Sequence, residues 1–203
     1  MSVFSTIISG FGLSAPAGLN AWIPLLITGV AGKIGAIKLQ APFDLLTNTW
    51  VLAALLFLLT IEIFVDKIPA VDTINDIVHT FIRPVAGGIL FAAESGAIGG
   101  LDPTVGFVLG LLSAGSVHAV KATGRPLVTT FTGGMGNMVV SLVEDMLSAI
   151  TALLALIVPI VAAIIMAIIL GVALWAILRW RARRRRRQEA GLEVTPQHPN
   201  LRR

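Results

Sequence analysis

Cysteine is absent from the 203 residues, so disulfides, thiolate metal sites and cysteine nucleophiles are excluded outright. Charge is also scarce, with Asp, Glu, Lys and Arg making up 13% of the chain against about 25% in an ordinary soluble domain. No P-loop, GxSxG elbow, HExxH pair or dinucleotide fingerprint occurs, so no enzyme class is supported by a motif and no cofactor is expected. The first residues, MSVFSTIISGFGLSAPAGLN, lack a basic n-region and run on apolar past any cleavage site, so no cleaved signal peptide is expected.

Apolar sequence takes the place of what is missing. Hydrophobic residues are 56% of the chain and the mean hydropathy is +0.89. Several stretches reach the roughly 20 apolar residues that a bilayer-spanning helix needs. The expected class is an all-α, polytopic transmembrane helix bundle, with residues 1–180 in the membrane and 181–203 as a tail. The net charge of +4 is unevenly spread: residues 1–178 hold six Lys/Arg against nine Asp/Glu, and residues 179–203 hold nine Arg against two Glu. An arginine run invites a nucleic-acid reading. Directly after an apolar span it fits better as a stop-transfer and positive-inside signal that also touches anionic lipid headgroups. The tail is therefore expected to be cytoplasmic, unstructured and without a nucleic-acid partner.

Candidate spans fall near 11–31, 49–66, 77–99, 104–123, 136–157 and 159–179. The first contains Pro16, Gly18, Asn20 and Pro24 and is expected to be broken or kinked. Met146–Leu178 holds 33 residues without a charge, about 50 Å as one helix, which overshoots a hydrocarbon core of about 30 Å. Pro159 suits the first turn of a new helix and divides it. Six spans place both termini on the cytoplasmic side of the plasma (inner) membrane, and Lys67, Arg83, Lys121 and Arg125 on that same side. Five spans with one long last helix is the alternative. Six also divide into two inverted three-helix halves, as in many secondary transporters. The oligomeric state is left open, an oligomer included.

The remaining charges are ordered. Glu62 and Asp66 are four residues apart, and Asp72, Asp76, His79 and Arg83 step by four, three and four along one helix face. His118, Lys121 and Arg125 step by three and four. Asn137, Ser141 and Glu144 step by four and three, with Asp145 adjacent. In the six-span arrangement these stripes converge at one depth. Ionisable groups at membrane depth face a bundle interior or an aqueous cavity and mark functional sites by default. The competing explanation is structural, with Arg83, Lys121 and Arg125 neutralising Glu62, Asp66 and Glu144 and with Asp72 capping a helix. Carboxylates with histidine can relay protons or hold a cation, Asp72, Asp76 and His79 form a pattern of low specificity for a divalent metal, and the basic groups can cradle an anion.

The segments GLSAPAGLNAWIPLL, IEIFVDKIPAVDTINDIVHTFIRPVAG, HAVKATGRP and GNMVVSLVEDMLS resemble the bacterial multi-pass membrane proteins catalogued as domain of unknown function family 4126. The likeness covers about residues 10–160 and excludes the arginine tail. By matching position it implies Asn20, Glu62, Asp66, Lys67, Asp72, Asp76, Arg83, Lys121, Arg125, Asn137, Ser141, Glu144 and Asp145 as the characteristic polar residues. It implies no activity. From the residues, the favoured expectation is a transporter or permease for a small ion or solute. A membrane-embedded enzyme on lipid phosphates, using Arg83, Lys121, Arg125 and His79 or His118, and a non-catalytic scaffold are the rivals.

Overall fold

The computed structural model describes residues 3–65, 69–133 and 135–193, with side chains described at all of these except 69–77, 127 and 184–193. Among the described residues it is all-helical. The helices are α1 (Val3–Ser14), α2 (Trp22–Lys33), α3 (Thr49–Val65), α4 (Pro69–Ile98), α5 (Pro103–Thr132), α6 (Met135–Ile157) and α7 (Pro159–Glu193). Single 3-10 turns, Ala15–Gly18 and Phe43–Thr47, precede α2 and α3. Four segments are long and apolar enough to cross a membrane: Val78–Ile98, Pro103–Thr132, Met135–Ile157 and Pro159–Arg183. The outer surface carries large apolar side chains such as Trp50, Phe57, Phe81 and Phe131, as helices in contact with lipid do.

Helices α4 and α5 form the spine. A Cβ built on Gly110 would lie 2.2 Å from the Gly87 carbonyl, so only paired glycines allow this backbone approach. Fully buried Phe91 fills the space beside them and lies against Gly10 of α1. The break at Pro159 falls where the sequence puts it, with α6 ending at Ile157 and α7 starting on the proline.

The first expected span, 11–31, is not one crossing. Thr6 donates to the Gly99 carbonyl at 2.7 Å, Gly10 meets Phe91, and the Ser14 carbonyl approaches Gly87. Contact numbers on α4 fall as those on α1 rise, so α1 runs antiparallel to α4. After the 3-10 turn the direction reverses. Trp22 packs edge-on to His79 with ring centroids 6.0 Å apart, Gly29 meets Leu46 and Leu52, and Lys33 bonds Thr49 at the start of α3. α3 then descends to Glu62, which meets Arg83. Helices α1 and α2 are thus a re-entrant hairpin whose two ends share the side of the α4–α5 turn. Each arm of 12 residues is about 18 Å long, roughly half a bilayer core.

The expectation of six crossings is not confirmed, and the packing sets the two described ends at opposite ends of the bundle. Val3 lies at the α4–α5 turn, whereas α7 carries Arg179 and Arg181 toward the opposite end, beside Val128 and Val140. The physical cause is at the tip. Gly18 sits so close to α5 that a Cβ would lie 2.4 Å from the Ala114 carbonyl, and the Asn20 Oδ1 accepts from the main-chain N–H groups of Trp22 and Ile23. Asn20 thereby starts a new helix in a new direction. The segments α2–α4 and α5–α7 do alternate in opposite senses, but their helices of 12, 17 and 30 residues against 30, 23 and 35 share no order of length.

The expected unstructured tail divides as well. Residues 181–193 continue α7, as runs of Arg, Gln, Glu and Ala favour. Residues 194–203 lie outside the described residues.

Candidate functional site

Two buried polar networks meet below the hairpin tip. In the first, Arg83 of α4, with no exposed surface, uses both ends of its guanidinium. Its Nη2 donates to Glu62 Oε1 of α3 at 2.9 Å, and its Nη1 lies 3.0 Å from His118 Nδ1 of α5. A guanidinium only donates. His118 Nδ1 therefore accepts, and the ring proton belongs on Nε2, 3.1 Å from Thr80 Oγ1. His79 Nδ1 stands 3.7 Å from Glu62 Oε1, and its ring packs edge-on against Trp22. Pro84 follows Arg83 inside α4 and removes a main-chain donor beside this network.

The second network surrounds the tip itself. Lys121 of α5 reaches Glu144 Oε2 of α6 at 2.9 Å and also donates to the Leu19 carbonyl at 2.9 Å. Arg125 approaches the same Glu144 oxygen at 3.6 Å and donates to Ser141 Oγ at 2.8 Å. Asn20 Nδ2 donates to Asp145 Oδ1 at 2.9 Å, and Ser148 Oγ donates to the Pro16 carbonyl at 3.0 Å. Around the tip the Pro16 carbonyl accepts from the Leu19 and Asn20 N–H groups as well as from Ser148 of α6, and the Leu19 carbonyl accepts from Lys121 of α5. His118 and Lys121 are one turn apart on α5, which joins the two networks.

A groove of about 300 Å3 opens beside the second network between α5, α6 and α7. Its walls are apolar, among them Val117, Leu147, Ile169 and Ile177, and its polar lining comes from Lys121, Arg125 and Glu144. The volume is at the small end of the range for ligand sites.

Of the residues expected from the sequence, Glu62, His79, Arg83, His118, Lys121, Arg125, Ser141 and Glu144 are brought together in these two networks, with Asn20 and Asp145 beside them. Asn137 is set apart, paired with exposed Thr129 near the α5–α6 turn. Asp66 and Lys67 lie outside the described residues. Asp72 and Asp76 fall on α4, but their side chains lie outside those described. Among the described residues no group of three metal-ligating side chains forms. The sequence pattern did not single out Thr80, Trp22, Ser148 or the Leu19 carbonyl. The first three are ordinary residues on apolar helices, and a main-chain carbonyl has no sequence signature.

Residues 7–179 match a family model described as a domain of unknown function (DUF4126). Neither the curated proteins nor the solved structures give a match.

Proposed function

The chain belongs to the family described as a domain of unknown function (DUF4126), and from that premise we propose that it is an integral membrane transporter that moves a small ion or solute past the tip of the α1–α2 hairpin. One observation carries this reading. The Lys121 ammonium is shared between a side-chain anion, Glu144, and the main-chain carbonyl of Leu19, which lies between the 3-10 turn and α2. Discontinuous helices that offer bare backbone groups inside the bundle are the device transporters use to hold substrates and ions. A shared ammonium can be displaced: a cation competes for Glu144 and Leu19, and an anion competes for Lys121. The adjacent groove gives a small solute access to the same three groups.

The test is flux into liposomes holding the purified protein, screened over inorganic ions and small solutes, for wild type, Glu62→Gln and Glu144→Gln. Wild type is expected to move at least one substrate and Glu144→Gln to lose it while staying folded. No flux, together with His79-dependent turnover of lipid phosphates, would make the protein an enzyme. No activity, with both variants losing only thermal stability, would make it a scaffold.

A further inference from the structure

The other described carboxylates inside the bundle face nitrogen donors: Glu62 meets Arg83, Glu144 meets Lys121 and Arg125, and Asp145 accepts from Asn20. Glu94 differs. It lies partly buried on α4, one turn before Ile98, and its hydrogen-bond partner is the Ser9 hydroxyl of α1. Among the described residues no cation stands opposite it. On α1 the Ser9 hydroxyl faces it and Thr6 bonds the Gly99 carbonyl, and on α5 Gly106 packs against Ser95. The 3-10 turn at Ala15–Gly18 has no charge. The charge on α2 is Lys33, bonded to Thr49, and that on α3 is Glu62, held by Arg83. Asp102 in the α4–α5 turn caps α5 through the Thr104 N–H. A carboxylate at membrane depth with no counter-ion is costly as an anion, and the cost goes when it takes up a proton.

Polar groups continue inward from Glu94 along the hairpin. Ser14 Oγ and Thr28 Oγ1, one on each arm, are wholly buried and make no hydrogen bond among the described residues. Beyond Ser14 come the Pro16 carbonyl on Ser148 and the Leu19 carbonyl on Lys121. Buried hydroxyls that neither donate nor accept within the protein are free to do both for a passing proton. Chains of this kind are how membrane proteins relay protons.

We propose that Glu94 is the proton-accepting residue on the α4–α5-turn side of the transport route. The carboxylate takes a proton from water at the turn. Once neutral, it donates to Ser9, whose hydroxyl now accepts, and the proton moves on past Ser14 toward the Lys121–Glu144 pair, leaving Glu94 a carboxylate again. This rests on the transport reading and supplies its coupling ion.

Full-length protein in liposomes with an entrapped pH dye tests it, with the outside acidified and the membrane potential clamped. Wild type is expected to acidify the interior faster than protein-free vesicles. Glu94→Gln should slow this about a hundredfold, the low end of what a positioned proton-transfer group contributes, and Glu94→Asp should recover part of it. Infrared spectra give a second readout independent of transport: a protonated-carboxyl band that titrates in wild type and is missing in folded Glu94→Gln. Wild-type proton rates in Glu94→Gln, or an unaltered band, overturn the assignment and leave the transport reading to its own solute screen. Passage of a solute by wild type without protons likewise overturns only the role of Glu94.

Discussion

Arg83 ties α4 to side chains of α3 and α5, and the geometry of its head decides what can replace it. Its two terminal nitrogens serve Glu62 and His118 at once, at 2.9 and 3.0 Å, so a single ammonium cannot reproduce the fork. Arg83→Met leaves a buried carboxylate without its donor and should destabilise the protein by about 3–5 kcal/mol. Lys121→Met should cost less, because Arg125 remains 3.6 Å from the same Glu144 oxygen. Thermal unfolding in detergent ranks them. Equal losses would mean that Arg125 does not back up Lys121. Much of this network is legible in the sequence, since Glu62, His79, Arg83 and His118 are charged or titratable groups in an apolar chain and their spacing puts them on faces. What the spacing does not give is the pairing. The sequence offers both Glu62 and Asp66 as partners for Arg83, and only the packing of α3 on α4 joins it to Glu62. Glu94 stands in the sequence as a single charge toward the end of the 77–99 span, but its significance depends on what α1 places opposite, and α1 is distant in sequence.

At the scale of elements, two short features set directions. Gly18 lets the hairpin tip lie against α5. A Cβ there would come within 2.4 Å of the Ala114 carbonyl, a backbone atom that cannot rotate away. Gly18→Ala should cost about 1–3 kcal/mol, the usual range for overpacking, and should weaken transport beyond its effect on stability by shifting Leu19 off Lys121. A variant stable to wild-type temperature with full flux would refute the placement of the tip. Asp102 starts α5 by accepting from the Thr104 N–H at 2.7 Å, and the Thr104 hydroxyl, then this N–H, hold its carboxyl below the ordinary value of 3.8. A lowered folded-state value stabilises the fold above the ordinary value and ceases to do so as pH falls through the lowered one. Asp102→Ala should therefore unfold at a lower temperature than wild type at neutral pH, with the gap closing as the pH drops below 3.8. Both features were partly readable. Pro16, Gly18, Asn20 and Pro24 announce a break, and Asp before Pro103 is a recognisable helix start. The break alone is equally compatible with a kink and with a reversal. Contacts such as Thr6 with Gly99 choose between them, and no local pattern contains those.

At the scale of the molecule, the hairpin changes which side each end faces. The α7 end carries Arg179, Arg181 and Arg183, and the positive-inside rule predicts such a cluster on the cytoplasmic side. Val3, the α2–α3 connection and the α4–α5 turn would then face outward, with Lys33 and Lys38 as the cations on that side. The cysteine-free background makes this directly measurable. Phe4→Cys, whose side chain is 71% exposed, and Lys38→Cys should react with a membrane-impermeant maleimide applied to intact cells, and Arg183→Cys only after the cells are opened. An unbroken first crossing would instead hide Phe4→Cys with Arg183→Cys on the inner side, so the pair of sites separates the two architectures without reference to function. The same result bears on mechanism. With the hairpin entering from outside, Glu94 and Ser9 lie near the outer surface and the Glu62–Arg83 and Lys121–Glu144 pairs lie deeper, so a proton entering at the turn meets the unpaired carboxylate before the paired ones. Labelling of both Phe4→Cys and Lys38→Cys from the cytoplasm alone would turn the bundle over and place the proton entry at the cytoplasmic face.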